Sequence, residues 1–489
     1  MPSLPVSMNP MSVPPIPSPI KRYRWRTWQV LCLAGILIVA GFYTYRAIRE
    51  ARAEARLREL VAAIEKDDPQ WKLADMESRY DKLPVSPAFP KCIKSIPPGY
   101  RGWAGDDIEV REDRLDYKGY GRDYNVLFPE KYYRILKERL SDEKVQAMRQ
   151  ALRELAKEPA GYRLPDGVGK NALDHIQNAR QMGNKILDES ILACHEADAD
   201  HLLMALQMAI SNARLLEQSS GMLHLLGAAS LRDLGIAQMS RGLALCQLTD
   251  QQLQQMQMIL SREQAPTVVQ LLKCWRANFF DEWERAQVDP QKRSEFIFLY
   301  TNPPGTNPTW KERAEYWVHR VAVEFVLANL TTSKADLLEI ASQALAVNAN
   351  YPNQVSSFIE QRRKSTSDKL LSNSLQFCGT LIRTYHTHQA LLDSLRAAIA
   401  CERYRLAQGQ WPAALDVLVP QYLPAIPLDP FTGKPLSYRL LADGVVVYSV
   451  GPDGLDDQGD VLDFNGGLKD KGTRLFNPEL RGRKYEPPK

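Results

Sequence analysis

A chain of 489 residues with 44% hydrophobic and 25% charged side chains has the makeup of a folded protein of two or three domains. Its 62 basic side chains nearly match its 58 acidic ones, and the net charge of +4 excludes the concentrated basic face of a nucleic-acid binder. Seven scattered cysteines without a CxxC pair exclude a zinc site and a dense disulfide framework.

The first twenty residues hold seven prolines and no charge. Such a segment buries too little surface to fold, so residues 1–27 read as a disordered tail ending in the basic flank "KRYRWRTW". Trp28 to Tyr45 then runs for 18 residues without a charge, about 27 Å as a helix, near the lower limit for crossing a bilayer. Trp25, Trp28, Tyr43 and Tyr45 stand where an aromatic belt would lie. The run is long for the core of a signal peptide, and no clean cleavage site follows it. Residues 28–45 are therefore expected to contact the lipid bilayer as a single-pass signal anchor. Lys21, Arg22, Arg24 and Arg26 in front are balanced by Arg46, Arg49, Arg52, Arg56 and Arg58 behind, so the positive-inside rule nearly ties. The expected arrangement is a short cytoplasmic tail, a bacterial inner membrane, and the bulk in the periplasm.

Residues 46–66 continue as a charged helix, with i,i+4 pairs at Arg46–Glu50 and Glu54–Arg58 and an apolar stripe of Leu57, Leu60, Val61 and Ile64. "DDP" at 67–69 ends it. Residues 80–128 are rich in Pro, Gly and Tyr and read as irregular structure with short strands, so 46–128 is a juxtamembrane unit. A helical body spans 129–368. One helix opens with Ser141 as N-cap. Others are predicted at about 171–193, 196–218, 221–247, 250–262, 267–287, 311–330 and 334–348, with Thr249 and Gln252 spaced as a capping box. The alternation implies an irregular α-solenoid or bundle.

Chemistry in the body is sparse. His195, Glu196 and His201 do not make HExxH, because six residues put the histidines about 120° off register. His386 and His388 lie on opposite sides of a helix. "GVGK" at 167–170 lacks the leading glycine and the Ser/Thr of a phosphate loop, and no GxSxG elbow occurs. The Met-bearing "QQLQQMQMIL" reads as core stripe before binding surface. The expectation is a non-enzymatic protein with protein partners; the alternative is an envelope hydrolase with an unrecognised active site in the helical body.

From 369 a long helix runs to Gln408, stopped by Gly409 and Pro412. A short helix and a Pro-pinned crossing follow, then a hairpin in which two strand-like runs flank Asp443–Gly444, suited to a type I′ turn. The loop "YSVGPDGLDDQGD" comes next. Asp453, Asp456, Asp457 and Asp460 could supply the hard oxygens calcium takes, with glycines folding carbonyls inward. On the residues alone, a solvated turn serves as well. Asp463 is a weaker candidate, and Asp429 in "LDP" is read as organising its turn.

"ERYRLAQGQWP", "LVPQYLPAIPLDPFTGKPLSY" and "YSVGPDGLDDQGD" follow one another in the order seen in the globular head of the major, G-type pseudopilins of type II secretion systems, and this part of the chain resembles that family. The matching positions include Tyr404, Gly409, Trp411, Pro412, Tyr422, Pro427, Asp429, Gly433, Tyr438, Gly451, Asp453, Asp456, Asp457 and Asp460. The resemblance covers about a sixth of the chain. It implies a small α/β head over 369–470, one calcium in the loop after the last strand, and 471–489 as a tail. A prepilin leader is not matched: Gly41 and Phe42 come at the end of the apolar run, and position 46 is Arg. Assembly into a pseudopilus is therefore not implied. The layout as a whole looks like bacterial envelope proteins that combine one anchor, a helical body and such a head. The expected fold class is thus mainly α, with a transmembrane helix, a solenoid or bundle body and a C-terminal α/β head.

Overall fold

The computed structural model describes residues 20–96, 125–127, 130–165, 172–219, 221–261, 267–289, 291–293, 309–314, 317, 330–350, 352–461 and 469–483. The proline-rich start, most of the Pro/Gly/Tyr region after 96, "GVGK" and most of the helix expected at 311–330 lie outside the described residues.

The apolar run and the charged stretch after it form one helix, α1 (Ile20–Asp67). No proline interrupts it, and Pro69 ends it. Every side chain from Trp28 to Tyr45 is exposed, and among the described residues this is one helix long and apolar enough to cross a membrane. Further along, Ile64 is buried, with Leu57, Leu60 and Val61 packed beside it. The expected stripe is therefore the docking face. The polar contacts of this stretch reach across the fold: Thr331 donates to Glu50 at 3.2 Å, and Arg56 pairs with Asp336 at 2.7 Å and with Glu339.

The body is helical. α2 (Leu73–Asp81) precedes the stretch expected to be irregular, and α3 (Phe89–Lys94) falls within it. α4 (Glu130–Leu140) and α5 (Glu143–Lys157) follow. The N-cap of α5 is Asp142, not Ser141: its carboxylate accepts from Lys144 N at 2.9 Å and Val145 N at 3.3 Å, while the Ser141 hydroxyl donates back to Lys137 O in α4. α6 (Ala172–Glu196), α7 (Ala199–Glu217) and α8 (Met222–Leu245) pack on one another. Gly235 and Gly242, seven apart on one face of α8, allow this closeness. A Cβ on Gly242 would stand 2.4 Å from Leu202 Cδ2, and one on Gly235 2.9 Å from Ala209 Cβ. α9 (Asp250–Ser261) opens with the expected Thr249–Gln252 box. α10 (Val268–Val288), α11 (Leu330–Asn350) and α12 (Val355–Ser365) follow.

α13 (Lys369–Gln408) is the longest element after α1 and ends at Gly409 with φ +74°. It belongs to two cores. Its first half, with Leu371, Leu375 and Ile382, joins α1, α10, α11 and α12 around Trp275 and Trp283. Its second half, with Leu395, Ile399 and Cys401, joins α7, α8, α9 and a three-stranded antiparallel sheet. The strands are β1 (Ser437–Leu441), β2 (Gly444–Ser449) and β3 (Lys471–Phe476), in that spatial order.

Two expectations need correction. The segment set aside as a tail supplies β3, which pairs with β2 along its whole length and buries Leu475 and Phe476. The β1–β2 turn is Ala442–Asp443, since Leu441 pairs with Gly444, and neither turn residue has positive φ, so it is not type I′. Gly444 serves close approach instead: a Cβ there would lie 2.0 Å from Leu475 O. The third strand decides where the glycine must be.

Candidate functional site

β2 delivers the chain into the acidic loop, and two buried carboxylates shape that loop. Asp429 stands at its base. Its Oδ1 accepts from Phe431 N at 2.8 Å and from the Ser449 hydroxyl at 2.9 Å, and its Oδ2 accepts from Val450 N at 3.1 Å. It organises the 429–434 turn, as read, and also ties that turn to the end of β2. Asp470, at the mouth of β3, sits inside the loop. It accepts from Gly459 N at 2.7 Å and Asp457 N at 3.3 Å. Burial pushes its carboxyl above the usual range, with the charges of Asp456 and Asp457 adding to the rise and the two backbone donors opposing it. Sequence reasoning passed over Asp470, which lies outside the acidic run and acts through a fold-back no local pattern announces.

The four predicted aspartates share this loop, and all four are exposed. Asp453 accepts from Leu455 N at 3.1 Å. Asp456 Oδ1 accepts from the Tyr448 hydroxyl at 3.0 Å and Gln458 N at 2.7 Å. Asp460 pairs with Lys469 at 2.6 Å. Among the described residues no three His, Cys, Asp or Glu side chains converge as a metal cage. The donor set nonetheless fits a hard cation in kind: carboxylates of Asp453, Asp457 and Asp460 face water, and Gly451, Gly454, Gln458 and Gly459 adopt positive φ that turns the backbone sharply. Asp463 lies outside the described residues.

Beneath the sheet, Glu402 on α13 is buried and grips two arginines. Arg405 donates to it at 2.8 and 2.9 Å, and Arg481, beyond β3, at 2.7 and 2.8 Å. Arg481 also donates to Phe476 O at 2.8 Å. Burial alone would raise this carboxyl; the two guanidinium partners outweigh burial and hold it below its ordinary value.

In the body, polar side chains line a cleft of about 590 Å³ that includes Lys137, Arg149, Arg153, Glu196 and His201. His201 Nε2 meets buried Glu189 at 2.7 Å, and Arg149 grips the same carboxylate. His195 stacks on Tyr133 at 4.1 Å instead, so the two histidines of "CHEADADH" serve different neighbours. His386 and His388 also diverge. The former meets the edge of Phe431, and burial pushes its imidazole down to about 4; the latter contacts Asp233 at 2.9 Å.

No family model, curated protein or solved structure matches the chain.

Proposed function

We propose that this chain is a membrane-anchored, non-enzymatic scaffold of the bacterial envelope: α1 crosses the inner membrane once, a solenoid-like helical body stands in the periplasm, and the C-terminal sheet with α13 forms a pseudopilin-like head clamped by calcium. The observation that carries it is α1 itself. Eighteen uncharged residues are exposed with none of the described residues burying them, and the same helix then docks into the body without a break. Exposed apolar surface of that extent is stable in lipid and costly in water. The chain should stay with the membrane pellet through alkaline carbonate extraction. Protease added to intact spheroplasts should digest the C-terminal unit; full protection there would place the body in the cytoplasm and remove the calcium reading with it.

Calcium would be held by Asp453, Asp456, Asp457 and Asp460, and it would supply positive charge where four carboxylates crowd. Asp460 would exchange Lys469 for the ion. At roughly 10⁻⁴–10⁻³ M affinity, usual for extracellular sites, 5 mM calcium contributes about 1–2 kcal/mol of stability. A thermal melt of the full chain in detergent should therefore rise by a few degrees with calcium, and a combined D456N/D457N/D460N chain should not respond. An unchanged melt at millimolar calcium rejects the ion. The partner surface is the helical body, whose stacked helices offer long exposed faces.

A further inference from the structure

α1 and α11 are paired in parallel. Glu50 contacts Thr331, and six residues further along α1 Arg56 meets Asp336 and Glu339. Both helices therefore run away from the end of the apolar segment, and the start of α11 lies level with Glu50. Glu50 is five residues past Tyr45, a rise of about 7 Å, which is the depth of the headgroup layer. α10 runs the other way. Its Arg276 reaches Asp68 at the far end of α1 at 2.9 Å, whereas Gln287 near its C-terminus accepts from Lys334 at 2.6 Å and donates to Thr331 at 3.5 Å. The end of α10 and the start of α11 thus both lie at the membrane-facing end of the body.

Between α10 and α11 in sequence stand two exposed tryptophans. Trp71, Trp275 and Trp283 are at most 1% exposed, whereas Trp310 is 82% and Trp317 66% exposed. Both are helical positions, and seven residues is the spacing of one helix face. Thr309 and Glu312 cap the start: the Glu312 carboxylate accepts from Thr309 N at 2.7 Å, and the Thr309 hydroxyl accepts from Glu312 N at 3.3 Å. Tryptophan is the side chain that settles at the boundary of headgroups and acyl chains, with its ring in apolar surroundings and its N–H near water.

We propose that Trp310 and Trp317 are seated in the interface of the bilayer that α1 crosses, giving the protein a second, non-spanning membrane contact beside its anchor. This rests on α1 being a membrane span. The contact is apolar in kind, because five basic side chains across 289–329 are matched by five acidic ones; it does not depend on anionic lipid. The test uses the full chain with photoreactive benzoylphenylalanine in place of Trp310, Trp317, Phe42 or Leu440, reconstituted in vesicles of phosphatidylethanolamine and phosphatidylglycerol. Irradiated samples are searched for lipid adducts by mass spectrometry. Adducts at 42, 310 and 317 but not at 440, with yields at 310 and 317 unchanged in 0.5 M salt, support the inference. Adducts at 42 alone overturn it, as do protein cross-links at 310 and 317 in place of lipid. No adduct at 42 removes the anchor first, and this inference with it.

Discussion

Replacing Glu402 with alanine is expected to lower the unfolding free energy by about 3–5 kcal/mol, the cost of leaving a buried charge without its partner. Arg481 is only 2% exposed at its side chain and would keep a single carbonyl acceptor, Phe476 O. Arg405 would fare better, since its guanidinium lies 5.4 Å from the Trp411 ring centre and is nearer water. Calorimetry or urea unfolding of the full chain reads the loss. A chain carrying both E402L and R481L should be markedly more stable than E402A, because packed apolar side chains replace a buried pair at little net cost. Equal losses in the two chains would mean that the pair's charges are immaterial and that shape alone matters.

The pH dependence has a defined sign. The Glu402 carboxyl is held below its ordinary value of 4.5 in the folded chain. Its stabilisation is fully present above that value and is lost as pH falls through the folded value. Glu189 is buried too, and its bonds to His201 and Arg149 outweigh that burial and lower its carboxyl likewise. Acidification below about 4.5 should therefore weaken the wild-type chain at both sites. E402Q should flatten that fall without abolishing it, because the Glu189 share remains.

Glu402 also marks the limit of what the sequence reveals. The apolar stripe Leu392, Leu395 and Ile399 carries on to position 402 by helical spacing, so an acid on the buried face was legible there. Its partner was not: Arg481 lies 79 residues away in a segment with no regular pattern. The same division runs through the chain. Helices with a full apolar face, α6 to α11, fall within a few residues of expectation because burial and period coincide. α3 escaped because a short helix in Pro-rich sequence gains its stability from tertiary contacts, here Phe89 and Cys92 buried against neighbours. The aspartates of the acidic loop were visible as a cluster, yet Asp470, which the loop folds around, was not, since β3 is found only by pairing with β2. Turn chemistry misled for the same reason: Gly444 reads locally as a turn residue, while the Leu475 carbonyl passing beside it is what demands glycine.

Trp275 to alanine is the other substitution expected to cost about 3–5 kcal/mol, from lost burial and the cavity left behind. Its ring is fully buried among α10, α11 and α13, and its N–H donates to Ser374 O at 3.1 Å and Ser374 Oγ at 3.0 Å. W275F keeps most of the volume and loses the N–H, so about 1–2 kcal/mol is expected there. Where the loss appears matters more than its size. Trp275 belongs to the core that holds α1, whereas the sheet belongs to the other. Limited proteolysis of W275A in detergent should first cut near 57–81 and 330–365, leaving a fragment that contains 390–476 intact. That outcome follows if α13 merely crosses two separately packed cores. Simultaneous loss of both regions would instead show that the 40-residue helix transmits instability from one core to the other. The membrane-proximal helices and the C-terminal sheet would then unfold as one cooperative unit, and loosening the anchor side would reach the acidic loop without touching it.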